Sequence, residues 1–179
     1  MTTGKRRRSG KSGPLTYVCT GLIAGLALKV FAIDLLHVSG ASMEPSIHSG
    51  SVVLVNKLAY GLVRPWGSGL LAQWGEPRAG EVVIFLHDDR TVIKRVAATA
   101  DTRLEYSSDN VYSMSVGGAS IPLSEEQFAR LHTISSVPAG TVLVIGDNYT
   151  DSVDSREYGF VSVKSILGRV ICRQELQRE

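Results

Sequence analysis

Three places in this chain carry side chains able to do covalent chemistry: a serine loop, a lysine in a β-rich run, and a dense polar turn. Ser42 sits in Val38-Ser-Gly-Ala-Ser-Met-Glu-Pro-Ser-Ile-His-Ser49. Gly40 and Ala41 leave its hydroxyl uncrowded, and Gly40 lets another backbone come close. Pro45 then fixes the exit direction. A Ser-x-x-Pro turn in a Gly/Ser-rich loop is common, so the weight falls on its company. Lys94 lies in Thr91-Val-Ile-Lys-Arg-Val96, where strand alternation puts it on one face with Val92 and Val96. Burial there would disfavour the ammonium and lower the lysine pKa. A neutral amine beside Ser42 would act as its base, a Ser-Lys version of nucleophilic catalysis through an acyl-enzyme. From the strand alone, Lys94 could equally reach solvent or pair with an acid. The third place is Gly146-Asp-Asn-Tyr-Thr-Asp-Ser-Val-Asp-Ser-Arg-Glu-Tyr-Gly159. Its short polar side chains need a tight web of local hydrogen bonds, as either a surface loop or a scaffold.

A Ser-His-Asp set is the rival chemistry, because His37, His48, His87 and His132 are available. None sits in a motif. His87 falls in a hairpin turn, His132 ends a short helix, and His48 is too near Ser42 along the chain to face it easily. No Cys/His cluster has metal-ligand spacing, and no cofactor is implied. Cys19 and Cys172 are the only cysteines. They are not expected to pair, so the domain that carries the serine is expected to have no disulfide.

These side chains need a scaffold, and 179 residues suit one compact domain with a real core. The formal charge of +2 is made up of +5 in the first eleven residues and −3 in the rest. That asymmetry fits a basic tail on a near-neutral domain rather than a nucleic-acid-binding body, although a nucleic-acid arm is the alternative for the tail. Seventeen uncharged residues follow, Ser12 to Leu28. At ~1.5 Å per residue they approach the ~30 Å hydrocarbon thickness, and the preceding basic cluster would keep the N-terminus in the cytoplasm. The expected organisation is a basic cytoplasmic tail over 1–11, a transmembrane helix and outer interface over 12–36, and an extracytoplasmic β-rich domain over 37–179. A cleaved secretory signal is the alternative. Cleavage near Ala41 would, however, detach the serine loop from its anchor, and apolar character continues through Val30-Phe-Ala-Ile33 and Leu35-Leu36.

The outer domain reads as mainly antiparallel β. Ser51–Val55, Glu81–Phe85, Thr91–Val96, Asn110–Val116, Thr141–Ile145 and Ser165–Ile171 read as strands, the second and third joined in a hairpin around His87-Asp-Asp-Arg90. One short helix fits Ser124–Leu131, with Ser124 and Gln127 as a capping box. The Gly-broken stretch Arg64–Trp74 holds both tryptophans and reads as a packed loop or as an interfacial contact.

Taken together and in this order, Ser39-Gly-Ala-Ser-Met-Glu-Pro45, Ile93-Lys-Arg-Val96 and Gly146-Asp-Asn148 through Asp154-Ser-Arg156 resemble the boxes of the type I signal peptidase family, membrane-bound Ser/Lys proteases. Lys57-Leu-Ala-Tyr-Gly61 and Glu81–Phe85 extend the resemblance over about residues 17 to 170. Gly80-Glu81, Ala97–Asp101 and Tyr149-Thr150 depart from the family pattern. The resemblance implies one transmembrane helix followed by an antiparallel signal-peptidase-like catalytic domain. It implies Ser42 as nucleophile and Lys94 as base, with Met43, Asp147 and Asn148 in the supporting boxes. Ser152 would orient the lysine, and Asp154 and Arg156 would form a supporting ion pair. The Ser42 N–H would be one oxyanion donor. Some relatives carry a serine hydroxyl where this chain has Gly40, leaving a backbone group or a water as the second. The implied partners are the lipid bilayer and exported preproteins with small residues at −1 and −3 of the cleavage site, not nucleic acid. A peptidase dedicated to one pilin or conjugation protein and a non-catalytic membrane-tethered β module are the alternatives.

Overall fold

A computed structural model describes residues 13–64 and 69–174. The expected basic tail, Trp66 and the last five residues lie outside them. Helix α1, Pro14–Phe31, is followed within two residues by β1, Ile33–His37. The apolar Leu35-Leu36 pair therefore belongs to a strand of the folded domain. Among the described residues, no helix is long and apolar enough to cross a membrane.

The strands β1, β2 (Val52–Asn56), β3 (Gly61–Val63), β4 (Leu70–Gln73), β5 (Val82–His87) and β6 (Arg90–Thr99) come first. After them are β7 (Glu105–Ser107), β8 (Ser113–Val116), β9 (Ala119–Pro122), α2 (Glu125–Leu131) and β10 (Thr141–Ile145). The chain closes with α3 (Ser155–Tyr158), β11 (Val161–Ser162), a 3-10 turn at Val163–Ser165 and β12 (Ile166–Gln174). Seven of these strands form the main sheet in the order β1-β2-β12-β5-β6-β10-β11. All its pairings are antiparallel. β3–β4 and β7-β8-β9 form two smaller sheets.

The hairpin β5–β6 pairs His87 with Arg90, leaving a two-residue turn of Asp88 and Asp89 with φ of 47° and 58°. Both residues take the left-handed region that such a turn requires, which Asp tolerates better than most residues. Helix α2 starts at the expected capping box, with the Ser124 hydroxyl accepting from Gln127 N–H and the Gln127 side chain accepting from Ser124 N–H. Within the Arg64–Trp74 stretch, Leu70–Gln73 form β4, which pairs with β3 just before the stretch. Trp74 Nε1–H donates to Leu58 O at 3.0 Å.

Three apolar clusters hold this arrangement. One packs Val38, Met43, Ile47, Val53, Val55 and Ile84 beneath the serine loop. A second, including Val83, Phe85, Val96, Val142 and Val144, fills the space under β5, β6 and β10. The third joins the small sheet to α2 and β10 through Met114, Ile121, Leu131 and Leu143. Gly168 permits the close β12–β2 crossing, because a Cβ there would lie 2.7 Å from Asn56 O.

Candidate active site

Strand β1 delivers the serine loop. Val38 N–H donates to Ser51 O, and Gly50 N–H donates back to Val38 O, each near 2.9 Å, so the ladder continues past the strand end. Gly40 then turns the chain at φ +104°, a value that favours glycine. Met43 is buried in the core below, which leaves Ser42 no freedom to drift from the sheet. From above, Asn148 N–H donates to Ser42 O at 3.0 Å and Asn148 Nδ2 to Ala41 O at 3.2 Å. Two hydrogen bonds thus strap the serine loop to the polar turn, 106 residues further along.

Strand β6 delivers the lysine. Lys94 is 3% exposed, and its Nζ donates to Ser42 Oγ at 2.7 Å. Burial is the main cause holding the Lys94 pKa below the usual lysine range, and the nearby Arg156 guanidinium adds to it. Asp154, Asp151 and Asp147 pull the other way and lose. The neighbouring Arg95, on the opposite strand face, donates through Nε and Nη2 to the two Asp147 oxygens at 2.8 and 2.6 Å. That fork anchors the start of the polar turn.

The turn itself is built around Asp154, which is 0% exposed. Its carboxylate accepts from Gly146 N–H, Ser152 Oγ–H, and Arg156 N–H, Nε and Nη2, all between 2.7 and 3.1 Å. Burial alone would raise its pKa; the Arg156 guanidinium and the other donors outweigh burial and hold it below the usual carboxylate range. Arg156 Nη2 also donates to Tyr149 O and Ser152 O, closing the web. The Ser152 hydroxyl donates to Asp154 at 2.7 Å. Its hydrogen is thus spent on the carboxylate, and any contact with the amine would use the oxygen as acceptor.

Two residues of the turn were not singled out from sequence. Gly146 is one: a Cβ there would come within 2.1 Å of Ser152 Oγ and 2.6 Å of Ser42 O. Its place at the head of a polar cluster was the available signal. Ser155 is the other, buried, with its Oγ accepting from Val144 N–H at 2.9 Å.

Beside Ser42 and Lys94 runs a groove of about 420 Å³, lined by residues including Leu36, Val38, Met43, Val92 and Val153. Among the described residues no acceptor takes the Ser42 N–H, whereas the Gly40 N–H donates to Ser49 Oγ at 3.2 Å. Three of the four histidines are engaged away from Ser42. His48 lies 4.0 Å from Glu44 and His87 3.6 Å from Asp88. His132 Nδ1 bonds Phe128 O, and His37 lines the groove.

A serine hydroxyl hydrogen-bonded to a buried lysine amine on a β scaffold is the arrangement that Ser/Lys-type hydrolysis would require. The family described as signal peptidase, peptidase S26, matches residues 13–174, and the chain belongs to that family of serine endopeptidases. Signal peptidase I of Bacillus caldolyticus is 30% identical, over 95% of this chain and 92% of that protein. Signal peptidase I of Pseudomonas fluorescens is 29% identical, over 81% of this chain and 62% of its own length. Signal peptidase I V of Bacillus subtilis (strain 168) is 27% identical, over 82% and 92%.

Proposed function

We propose that this chain is a signal peptidase I that removes N-terminal signal peptides from exported preproteins, with Ser42 as nucleophile and Lys94 as base. The observation that carries the reading is the 2.7 Å contact between Ser42 Oγ and a lysine amine shielded from water. In the ammonium form Nζ donates; once deprotonated it accepts the Ser42 proton along the same line. Oγ then attacks the scissile carbonyl, and Lys94 returns the proton to the leaving amine. Water hydrolyses the acyl-enzyme by the same base. The free Ser42 N–H is positioned to stabilise the oxyanion. Asp147, Asn148, Asp154 and Arg156 hold the serine loop and the polar turn in register, and Ser152, held by Asp154, would orient the amine through its free oxygen lone pair.

The groove favours an extended peptide. β10 pairs with β6 only from Arg95 onward, so among the described residues no strand covers the β10-side edge of Arg90–Lys94. The apolar side chains of Leu36, Val38, Met43 and Val92 in the groove lining suit small, uncharged side chains at −1 and −3. Although α1 by itself is not long and apolar enough to cross a membrane, anchoring through the N-terminal segment, with the N-terminus cytoplasmic and the β domain outside, is supported by the basic tail and the uncharged run Ser12–Leu28. It is also supported by the helix surface: Leu15, Val18, Leu22, Ile23 and Leu26 are all exposed, an apolar area that lipid accommodates better than water. At the foot of the helix, Lys57 N–H donates to Ala32 O. Nearby, Leu71 and Trp74, each 60% exposed, suit a headgroup layer.

The test is cleavage of a panel of preproteins by the full chain and by Ser42→Ala. Cleavage of many by wild type and none by the variant supports the proposal. Processing of one substrate alone would point to a dedicated peptidase, and absence of cleavage by either protein would refute the enzymatic reading.

A further inference from the structure

The groove has a cationic end that the proposed chemistry does not use. Among its described lining residues Arg90 is the one cation besides Lys94, with His37 the only other titratable group. No ion-pair partner of Arg90 occurs among the described residues, although Asp88 and Asp89 share its turn and Asp88 lies 3.6 Å from His87. Arg90, Val92 and Lys94 alternate along one face of β6. Val96 N–H donates to Glu81 O and Val96 O accepts from Gly80 N–H. By alternation, the backbone groups of Lys94, Val92 and Arg90 also turn toward β5, and those of Thr91 and Ile93 toward the uncovered edge.

A peptide laid along that edge advances in step with β6, since both rise about 3.3 Å per residue. Its scissile bond must lie at Ser42 and Lys94, where the groove begins, so the small −1 and −3 side chains fall opposite Lys94 and Val92. Two residues further on, the substrate meets Arg90. We propose that Arg90 reads the side chain at −5 and favours a carboxylate there. The inference rests on the signal peptidase reading and adds a charge preference to its small-residue rule. A guanidinium at a groove mouth presents several donors in a planar fork, the shape that pairs with a carboxylate and repels an ammonium. The pair would be partly solvated, so its effect is modest and salt-dependent.

The experiment measures kcat/KM for three quenched-fluorescence peptides that share one cleavable sequence and differ only at −5, carrying Glu, Gln or Lys. Wild-type full chain in detergent should prefer Glu to Lys by about fivefold, the scale of one exposed pair and one exposed repulsion, and less at high salt. Arg90→Glu should invert the preference and Arg90→Gln should bring the ratio close to one. A ratio within one enzyme is insensitive to any general loss of activity. Arg103→Glu, a reversal at an exposed arginine outside the groove, should keep the wild-type ratio. Equal rates on the three peptides by wild type, or a Glu/Lys ratio unmoved by Arg90→Glu, would overturn the assignment. Failure of wild type to cleave any of them would instead refute the peptidase reading, and this inference with it.

Discussion

Replacing Lys94 separates this mechanism from a histidine-based one. An unperturbed lysine, with pKa ~10.4, is neutral in about 0.04% of molecules at pH 7. Each pH unit by which burial lowers that value raises the reactive fraction about tenfold, equivalent to ~1.4 kcal/mol. The structure supplies the cause: a lysine buried to 3% exposure, with Arg156 nearby. Accordingly, kcat/KM should rise with pH through an ionisation below the ordinary lysine range. Lys94→Arg keeps the charge but cannot deprotonate here, and Lys94→Met keeps the bulk but has no base. Each should lose at least about 10³-fold, within the range for a positioned general base. The same burial has a thermodynamic signature. With its pKa lowered on folding, the native state binds the Lys94 proton more weakly than the unfolded chain. Stability therefore rises with pH between the folded value and ~10.4, and the cost is fully present below the folded value. Lys94→Met should thus be as stable as wild type or more so at neutral pH, with the difference shrinking on approach to pH 10. Paired pH–rate profiles and melting curves check this. An ascending limb near 6.5 that vanishes in His37→Gln, or appreciable cleavage by Lys94→Arg, would refute the reasoning.

Ser152→Ala should lower kcat by ~10²-fold with the melting temperature little changed, since a positioning contact is lost without opening the core; an unchanged kcat would remove Ser152 from the site. Gly146→Ala should sharply impair both activity and stability, because the new Cβ meets Ser152 Oγ and Ser42 O, as a melting scan and a cleavage assay would show. Asp154→Asn leaves the buried Arg156 without its counter-charge and should cost about 3–5 kcal/mol in denaturant unfolding. Because folding holds the Asp154 pKa low, wild type should also lose stability as pH falls through the acid range, and this loss should be smaller in the variant. In intact cells, a membrane-impermeant thiol reagent should label Val111→Cys, at an exposed position, and spare Thr3→Cys; the reverse pattern would invert the proposed topology.

Much of the chemistry was legible because it depends on residue type and local spacing. Ser42 between a glycine-bearing turn and a proline, Lys94 alternating with valines, and the Asp/Asn/Ser density of 147–155 are visible without coordinates. So are the capping box of α2 and the β5–β6 hairpin, whose hydrogen bonds close within a few residues. Leu35-Leu36 was not legible as part of an edge strand, since an apolar pair after an apolar helix looks alike in a membrane interface and in a β-ladder; pairing of Leu36 with Val53 decides it. The β3–β4 hairpin and α3 were hidden by a glycine-broken run and by a helix of four residues, too short to carry a period. The family resemblance implied that Ser152 orients the lysine, but only the fold shows its hydroxyl committed to Asp154. It likewise sends Arg95, the residue after Lys94, to Asp147 on the other strand face. Residue types set which groups could transfer a proton. Whether Lys94 is dry, and whether its amine meets a serine 52 residues earlier, depends on packing among distant segments, because desolvation and hydrogen-bond geometry are properties of surroundings that no local pattern contains.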